Sequence, residues 1–126
     1  MAYTALRNKV VNKLEVAAGR TVLTSKPVVV DVVLTKACNF ACTFCKDYET
    51  ENARRVSLSN FEQMAKQLLP TASRLSICSG GEPYLHTVLE DILRIARKYN
   101  PTLYTWVLSN GSILRESRIR TILEEG

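Results

Sequence analysis

The chain has 126 residues, of which 46% are hydrophobic and 23% are charged, and its formal net charge is +5. This length allows one domain with a modest core, and the composition is typical of a soluble globular protein. The most apolar stretch, residues 27–34, is far shorter than the ~20 residues that span a bilayer, and the amino terminus lacks the apolar run of a signal peptide. We therefore expect a cytoplasmic protein with no membrane association, in which clustered cysteines indicate metal binding or catalysis rather than disulfides.

The first predicted element is a helix over residues 5–18, which Gly19 is expected to end. Apolar side chains recur there at helical spacing, namely Leu6, Val10, Val11 and Leu14. The first strand is predicted over residues 28–34, whose nearly continuous β-branched sequence is typical of a parallel strand buried on both faces.

A second helix is predicted from about residue 57 to residue 69. We expect Ser59 and Glu62 to form its capping box and Pro70 to end it. The remaining predicted elements are a strand at 74–78, a helix at 86–98, a strand at 103–108 and a helical pattern at 113–125. After the first helix, strands therefore alternate with helices, which predicts right-handed βαβ units and a parallel sheet.

Three unusual loops each follow a predicted strand and precede a predicted helix. They carry three cysteines (Cys38, Cys42 and Cys45), the sequence Gly-Gly-Glu-Pro at 80–83, and Ser-Asn-Gly at 109–111. The carboxyl ends of parallel strands lie along one rim of the sheet, where such folds place their sites. We therefore expect the three loops to form one composite site.

The cysteines are spaced C-x3-C-x2-C within residues 38–45. Thiolates suit zinc or iron–sulfur chemistry, and a structural zinc site is closed by four protein ligands. Three cysteines can instead hold three irons of a 4Fe–4S cube and leave the fourth iron open. Cys78 or His86 would be the fourth ligand of a closed site, but we expect a small buried side chain at Cys78 and a surface or capping role for His86.

This combination of three cysteines, Gly80-Gly81-Glu82-Pro83 and Ser109-Asn110-Gly111 resembles the radical S-adenosylmethionine (radical SAM) superfamily. In detail it is similar to the branch that contains molybdenum-cofactor, peptide-modifying and SPASM-type enzymes. The resemblance implies an α/β fold, a partial TIM-like barrel of parallel βα units, with about the first three units present. Residues 1–27 would form a helical lead-in and residues 28–126 a core domain that is incomplete at its carboxyl end.

The resemblance also implies a role for each motif residue. Cys38, Cys42 and Cys45 would bind a 4Fe–4S cluster, and Phe44 would pack near the adenine of S-adenosylmethionine (SAM). Gly80, Gly81 and Glu82 would receive the methionyl ammonium, which needs acceptors and a closely approaching backbone. Asn110 would contact SAM. We accordingly expect a side chain at Gly81 to obstruct SAM and to leave the iron site in place.

The implied reaction is the reductive cleavage of SAM to methionine and a 5′-deoxyadenosyl radical, which abstracts hydrogen from a substrate. The expected partners are an external one-electron donor of the flavodoxin or ferredoxin type and the remaining carboxyl-terminal part of the same protein, without which this segment is expected to be inactive. A peptide, a small molecule or a tRNA would be the substrate. Two other interpretations stay open: a zinc or iron–sulfur module closed by Cys78 or His86, and a nucleic-acid-binding protein with a structural metal, which the net charge suggests.

Overall fold

The computed structural model describes residues 2–45, 48 and 53–125. Its helices and strands are α1 (Ala2–Ala17), β1 (Val29–Val32), α2 (Leu58–Leu68), β2 (Arg74–Ile77), α3 (Leu89–Tyr99), β3 (Tyr104–Val107) and α4 (Glu116–Glu125). Short 3₁₀ helices at Leu69–Thr71 and Pro83–Leu85 follow α2 and β2. This order confirms the predicted alternation of strands and helices after the first helix. None of the helices in these residues is both long and apolar enough to cross a membrane.

The three strands form one parallel sheet in the order β1-β2-β3. Val30 lies opposite Leu75, which in turn lies opposite Thr105. Adjacent parallel strands require crossover connections, and α2 and α3 supply them. The carboxyl ends of all three strands therefore meet at one rim, as the sequence predicts.

The helices cover one face of this sheet. Leu75 and Ile77 of β2 are fully buried against α2 and α3, and the same core contains Phe61, Ala65, Ile92, Leu93 and Ala96. On the other face, Tyr104 and Trp106 are exposed, and the Arg74 guanidinium lies 5.9 Å from the centre of the Trp106 ring. Among the described residues, the second face is thus exposed at β3, whereas Ser76 of β2 on the same face is fully buried.

Helix α1 is held to the fold mainly by polar contacts. The Asn8 amide donates to the carbonyl oxygens of Lys26 (3.0 Å) and Thr71 (3.2 Å) and accepts from the Lys26 N–H (2.8 Å). The predicted helix and its end at Gly19, where φ is +65°, are confirmed. Its periodic Leu6, Val10 and Leu14 are exposed, so the helical spacing does not mark a core-facing side.

The predicted start of α2 near residue 57 is confirmed, but the predicted capping residue, Ser59, is wrong by two positions. Ser57 is the N-cap, and its side-chain oxygen accepts from the Asn60 N–H at 3.2 Å. Ser59 lies inside the helix, and Glu62 pairs with Lys98 of α3 at 2.9 Å instead of closing a capping box. The local sequence pattern did not predict this partner, because Lys98 lies on another helix.

Candidate functional site

One open pocket at the strand rim, with a volume of about 560 Å³, brings the predicted site residues together. All eight of them line it: Cys38, Cys42, Phe44, Cys45, Gly80, Gly81, Glu82 and Asn110. They come from the loops that follow β1, β2 and β3, in agreement with the rule for parallel sheets. The three loops therefore form a single composite site.

The loop after β1 presents three thiols to this pocket. Cys38, Cys42 and Cys45 are free and half-buried, and the Cys45 N–H donates to the Cys42 carbonyl at 3.1 Å. Within the described part of the chain, no three cysteine, histidine or acidic side chains are close enough to hold a metal ion. The thiols thus share a pocket without forming a closed ligand set, and thiolate donors suit an iron–sulfur cluster.

Neither proposed fourth ligand lines the pocket. His86 is buried, and its Nε2 lies 2.9 Å from the Val56 carbonyl oxygen, while Nδ1 lies 3.4 Å from the Val88 backbone nitrogen. Since Nδ1 accepts from an N–H, Nε2 carries the proton and donates to Val56. The predicted surface position of His86 is wrong, and His86 does not cap the helix that follows it: Val88 is the N-cap of α3, and His86 is the C-cap of the preceding 3₁₀ helix. Cys78 is half-buried rather than buried.

Gly81 packs directly against the base of the cysteine loop. Its N–H donates to the Thr35 carbonyl at 2.9 Å, and the Glu82 N–H donates to the Ala37 carbonyl at 2.7 Å. A Cβ atom at Gly81 would lie 1.9 Å from the Ala37 oxygen. This contact argues against the expectation that a side chain at Gly81 spares the iron site, because such a side chain would displace the residue before Cys38.

Ser79 and Gly80 hold a left-handed backbone where β2 enters the pocket. Their φ angles are +66° and +88°, and a Cβ at Gly80 would lie 2.6 Å from Val33 Cγ1. For a serine this conformation is strained by about 1–3 kcal/mol, and such residues cluster at functional sites. Gly80 is required here both by its backbone angle and by the close approach of Val33, the residue after β1.

Glu82 is 2% exposed, and its carboxylate accepts three hydrogen bonds, two of them from the neighbouring loop. Oε1 accepts from the Tyr84 N–H (3.1 Å) and the Ser109 hydroxyl (2.8 Å), and Oε2 accepts from the Asn110 N–H (2.7 Å). A carboxylate offers about four acceptor positions, so one remains on Oε2. Glu82 therefore joins the loops after β2 and β3 and keeps capacity for one further donor.

A profile of the radical SAM superfamily matches residues 32–126, which include all three motif loops. The chain belongs to the radical SAM superfamily. The fold class predicted from the sequence is likewise confirmed: an α/β chain with a parallel sheet, consistent with a partial TIM-like barrel.

Two relatives of this radical SAM chain are named as enzymes. It is 26% identical to GTP 3′,8-cyclase of Chlorobaculum tepidum over 98 residues, covering 77% of this chain and 29% of that protein. It is 35% identical to the probable GTP 3′,8-cyclase of Thermococcus kodakarensis over 91 residues, covering 68% of this chain and 28% of that protein. The chain thus spans less than a third of either relative.

A solved structure supports the radical SAM fold. The crystal structure of BtrN in complex with AdoMet and 2-DOIA superposes with a TM-score of 0.70 at 24% identity, covering 79% of this chain and 42% of BtrN. At this level of identity the likeness concerns the fold.

Phe44 is 89% exposed at the mouth of the pocket. It is therefore not a hydrophobic plug beneath the cysteine loop. Phe40 and Leu108 line the same pocket and are also exposed. The radical SAM chain thus surrounds its thiols with apolar surface that is available to a ligand or to further protein.

Sequence reasoning missed the residues that join these loops, chiefly Ala37, Asn39 and Ser112. The Ala37 carbonyl accepts from the Glu82 N–H and lies against Gly81, and the Asn39 side chain bonds to Asn110 and Ser112. The local signal was weak, since asparagine and serine are common in any turn. Only the tertiary fold shows that they meet across loops far apart in the chain.

Arg118 attaches helix α4 to α3 and to the 3₁₀ helix that follows Glu82. It forms two hydrogen bonds to the Glu90 carboxylate (2.6 and 3.2 Å) and donates to the Tyr84 carbonyl at 2.6 Å. The hydrogen bonds from Arg118 lower the pKa of Glu90, and those to Glu90 raise the pKa of Arg118. Burial raises the pKa of Tyr84, and the nearby Glu82 charge adds to that effect.

Proposed function

We propose that this chain carries the cluster-binding and SAM-binding part of a radical SAM enzyme. The observation that carries the proposal is the convergence of three separate βα loops, with the predicted residues of each, on one pocket. Membership of the superfamily and the relatives named as GTP 3′,8-cyclases support it. The substrate class of the whole protein stays a prediction, whether peptide, small molecule or tRNA.

In this proposal Cys38, Cys42 and Cys45 hold a 4Fe–4S cluster. They fit that group because they are cysteines outside any disulfide at one pocket, and neither Cys78 nor His86 lines the pocket as a fourth protein ligand. When bound, the cluster supplies one-electron reduction of SAM, and hence a 5′-deoxyadenosyl radical, with electrons from a flavodoxin-type or ferredoxin-type donor. The chain's own contribution is to bind, orient and shield the reactants.

The wall opposite the thiols would hold the methionyl end of SAM. The Glu82 carboxylate has one unused acceptor position, which suits an ammonium donor. Its other three hydrogen bonds fix its orientation before any ligand arrives. The exposed Phe44 ring supplies apolar surface for the adenine.

The test is anaerobic reconstitution with iron and sulfide. We expect about four irons and four sulfides per chain and a brown colour, whereas a zinc site would be colourless. Replacing Cys38, Cys42 or Cys45 with alanine should abolish iron binding, and Cys78→Ala is the matched control. Iron loss in Cys78→Ala, or a colourless zinc-loaded wild type, would contradict the proposal.

A further inference from the structure

Three side chains form a closed ring of hydrogen bonds between the cysteine loop and the loop after β3. The Asn110 amide donates to Asn39 Oδ1 (3.0 Å), the Asn39 amide donates to Ser112 Oγ (2.8 Å), and the Ser112 hydroxyl donates to Asn110 Oδ1 (2.7 Å). We call these residues the Asn39–Asn110–Ser112 ring. Each bond has a defined donor and acceptor, so the ring has a single orientation.

The ring joins parts of the chain that are distant in sequence. Asn39 follows Cys38 directly, and it lies 71 residues from Asn110 and 73 residues from Ser112. The Ser112 N–H also donates to Asn110 Oδ1 at 2.9 Å, which fixes that amide further. The ring therefore connects the first thiol to a loop that already holds Glu82.

In the described part of the chain, the cysteine loop has few other hydrogen bonds along its length. Within the described residues, two hydrogen bonds join residues 38–45 to another loop: Asn39 donates one, to Ser112, and accepts the other, from Asn110. The remaining ones, from Phe40 to Cys38 and from Cys45 to Cys42, are internal. The backbone bond of Ala37 with Glu82 fixes only the base of the loop. Among the residues that the structure describes, Asn39 thus makes the hydrogen bonds that hold the cysteine loop against another loop.

We propose that Asn39 is a positioning residue that holds the cysteine loop against the loop after β3. It acts through Ser112 and Asn110 and sets the placement of Cys38 relative to the wall that contains Glu82. This inference rests on the proposed function, because the loop is positioned for a cluster. It also gives the Asn110 side chain a role other than direct contact with SAM.

The test compares variants on the two sides of the ring in the reconstituted chain. Asn39→Ala and Ser112→Ala each remove two of the three ring bonds, and Ser112→Thr keeps the hydroxyl. Asn12→Ala is the matched control, because it breaks a similar bond to Ser25 (3.0 Å) far from the pocket. The readouts are the rate of iron loss to a chelator and the EPR signal of the reduced cluster, both without SAM.

We expect Asn39→Ala and Ser112→Ala to lose iron roughly two- to tenfold faster and to alter the EPR signal, because each bond contributes modestly at an exposed site. Ser112→Thr and Asn12→Ala should match the wild type, and all variants should unfold at a similar temperature. The double variant should resemble either single one, since the ring acts as a unit.

Wild-type behaviour of both alanine variants, or additive effects in the double variant, would overturn the positioning role. Failure of the wild type itself to bind iron would overturn the proposed function instead. The two failures are therefore distinguishable in one experiment.

Discussion

The loops after β1 and β2 share one pocket but are held in different ways. Glu82 is 2% exposed and makes three hydrogen bonds, whereas Phe44 at the tip of the cysteine loop is 89% exposed. The wall that would receive SAM is therefore organised by the protein itself. The thiols share the pocket without converging, so a metal cluster would complete the order of that loop, as ligand sites often gain order on metal binding.

The substitution with the largest expected effect lies where the loops after β1 and β2 pack against each other. Gly81→Ala would place its Cβ against the Ala37 carbonyl, so we expect about 2–3 kcal/mol of destabilisation and loss of iron binding. Denaturant unfolding and iron analysis measure the two effects.

Gly19→Ala serves as its control, because it adds the same methyl group at a positive φ with nothing within 4 Å. It should destabilise by about 1–2 kcal/mol and keep the iron. Normal iron content in Gly81→Ala would show that the junction does not position the thiols.

A substitution between α3 and α4, away from the pocket, should lower the stability of the fold without affecting iron binding. Arg118→Ala removes a bidentate contact between α4 and Glu90, so we expect a loss of about 1–2 kcal/mol in unfolding free energy with iron binding unchanged. Thermal or urea unfolding of the apoprotein, followed by iron analysis of the reconstituted chain, checks both parts.

Arg120→Ala is the matched control, since its partner Glu116 is exposed and such pairs contribute about 0.5 kcal/mol or less. Equal destabilisation by both arginine variants would argue against an anchoring role for Arg118.

The smallest effect concerns pH and the attachment of α1. Hydrogen bonds from the Thr24 side chain and backbone and from Ser25 lower the pKa of Glu15 from 4.5 to about 2. Because the folded-state pKa of Glu15 is lowered, its ionised carboxylate stabilises the fold fully when the pH is above the ordinary pKa of 4.5. This contribution is lost as the pH falls from about 4.5 towards 2.

The difference in urea midpoint between the wild type and Glu15→Gln should therefore narrow as pH is lowered through that window. A difference that stays constant from pH 6 to pH 2.5 would show that the Glu15 charge is not involved.

Much of the architecture follows from the sequence, because period and composition mark the strands and parallel strands share one rim. The strand at 74–78 and the helix at 86–98 lie within a few residues of β2 and α3. The eight site residues converge for the same reason. These features depend on local pattern and on general topology, which a single sequence contains.

The contacts between loops could not be predicted in this way. Gly81 is glycine because Ala37 occupies the space of a side chain, and His86 is buried because its ring reaches Val56. Glu62 satisfies the capping pattern but pairs with Lys98 on another helix. Each of these outcomes depends on a partner that is remote in the chain and that no local spacing identifies.

The most direct test of the composite site is the response of the reduced cluster to saturating SAM, measured by EPR on the reconstituted chain. We expect SAM to change the wild-type signal. In Glu82→Gln the SAM concentration needed for the same response should rise about ten- to a hundredfold, since a charge-assisted contact of roughly 1.5–3 kcal/mol is lost. The iron content should stay unchanged. An iron-loaded wild type whose signal ignores SAM, or a Glu82→Gln variant that responds equally, would contradict the view that the three loops form one site.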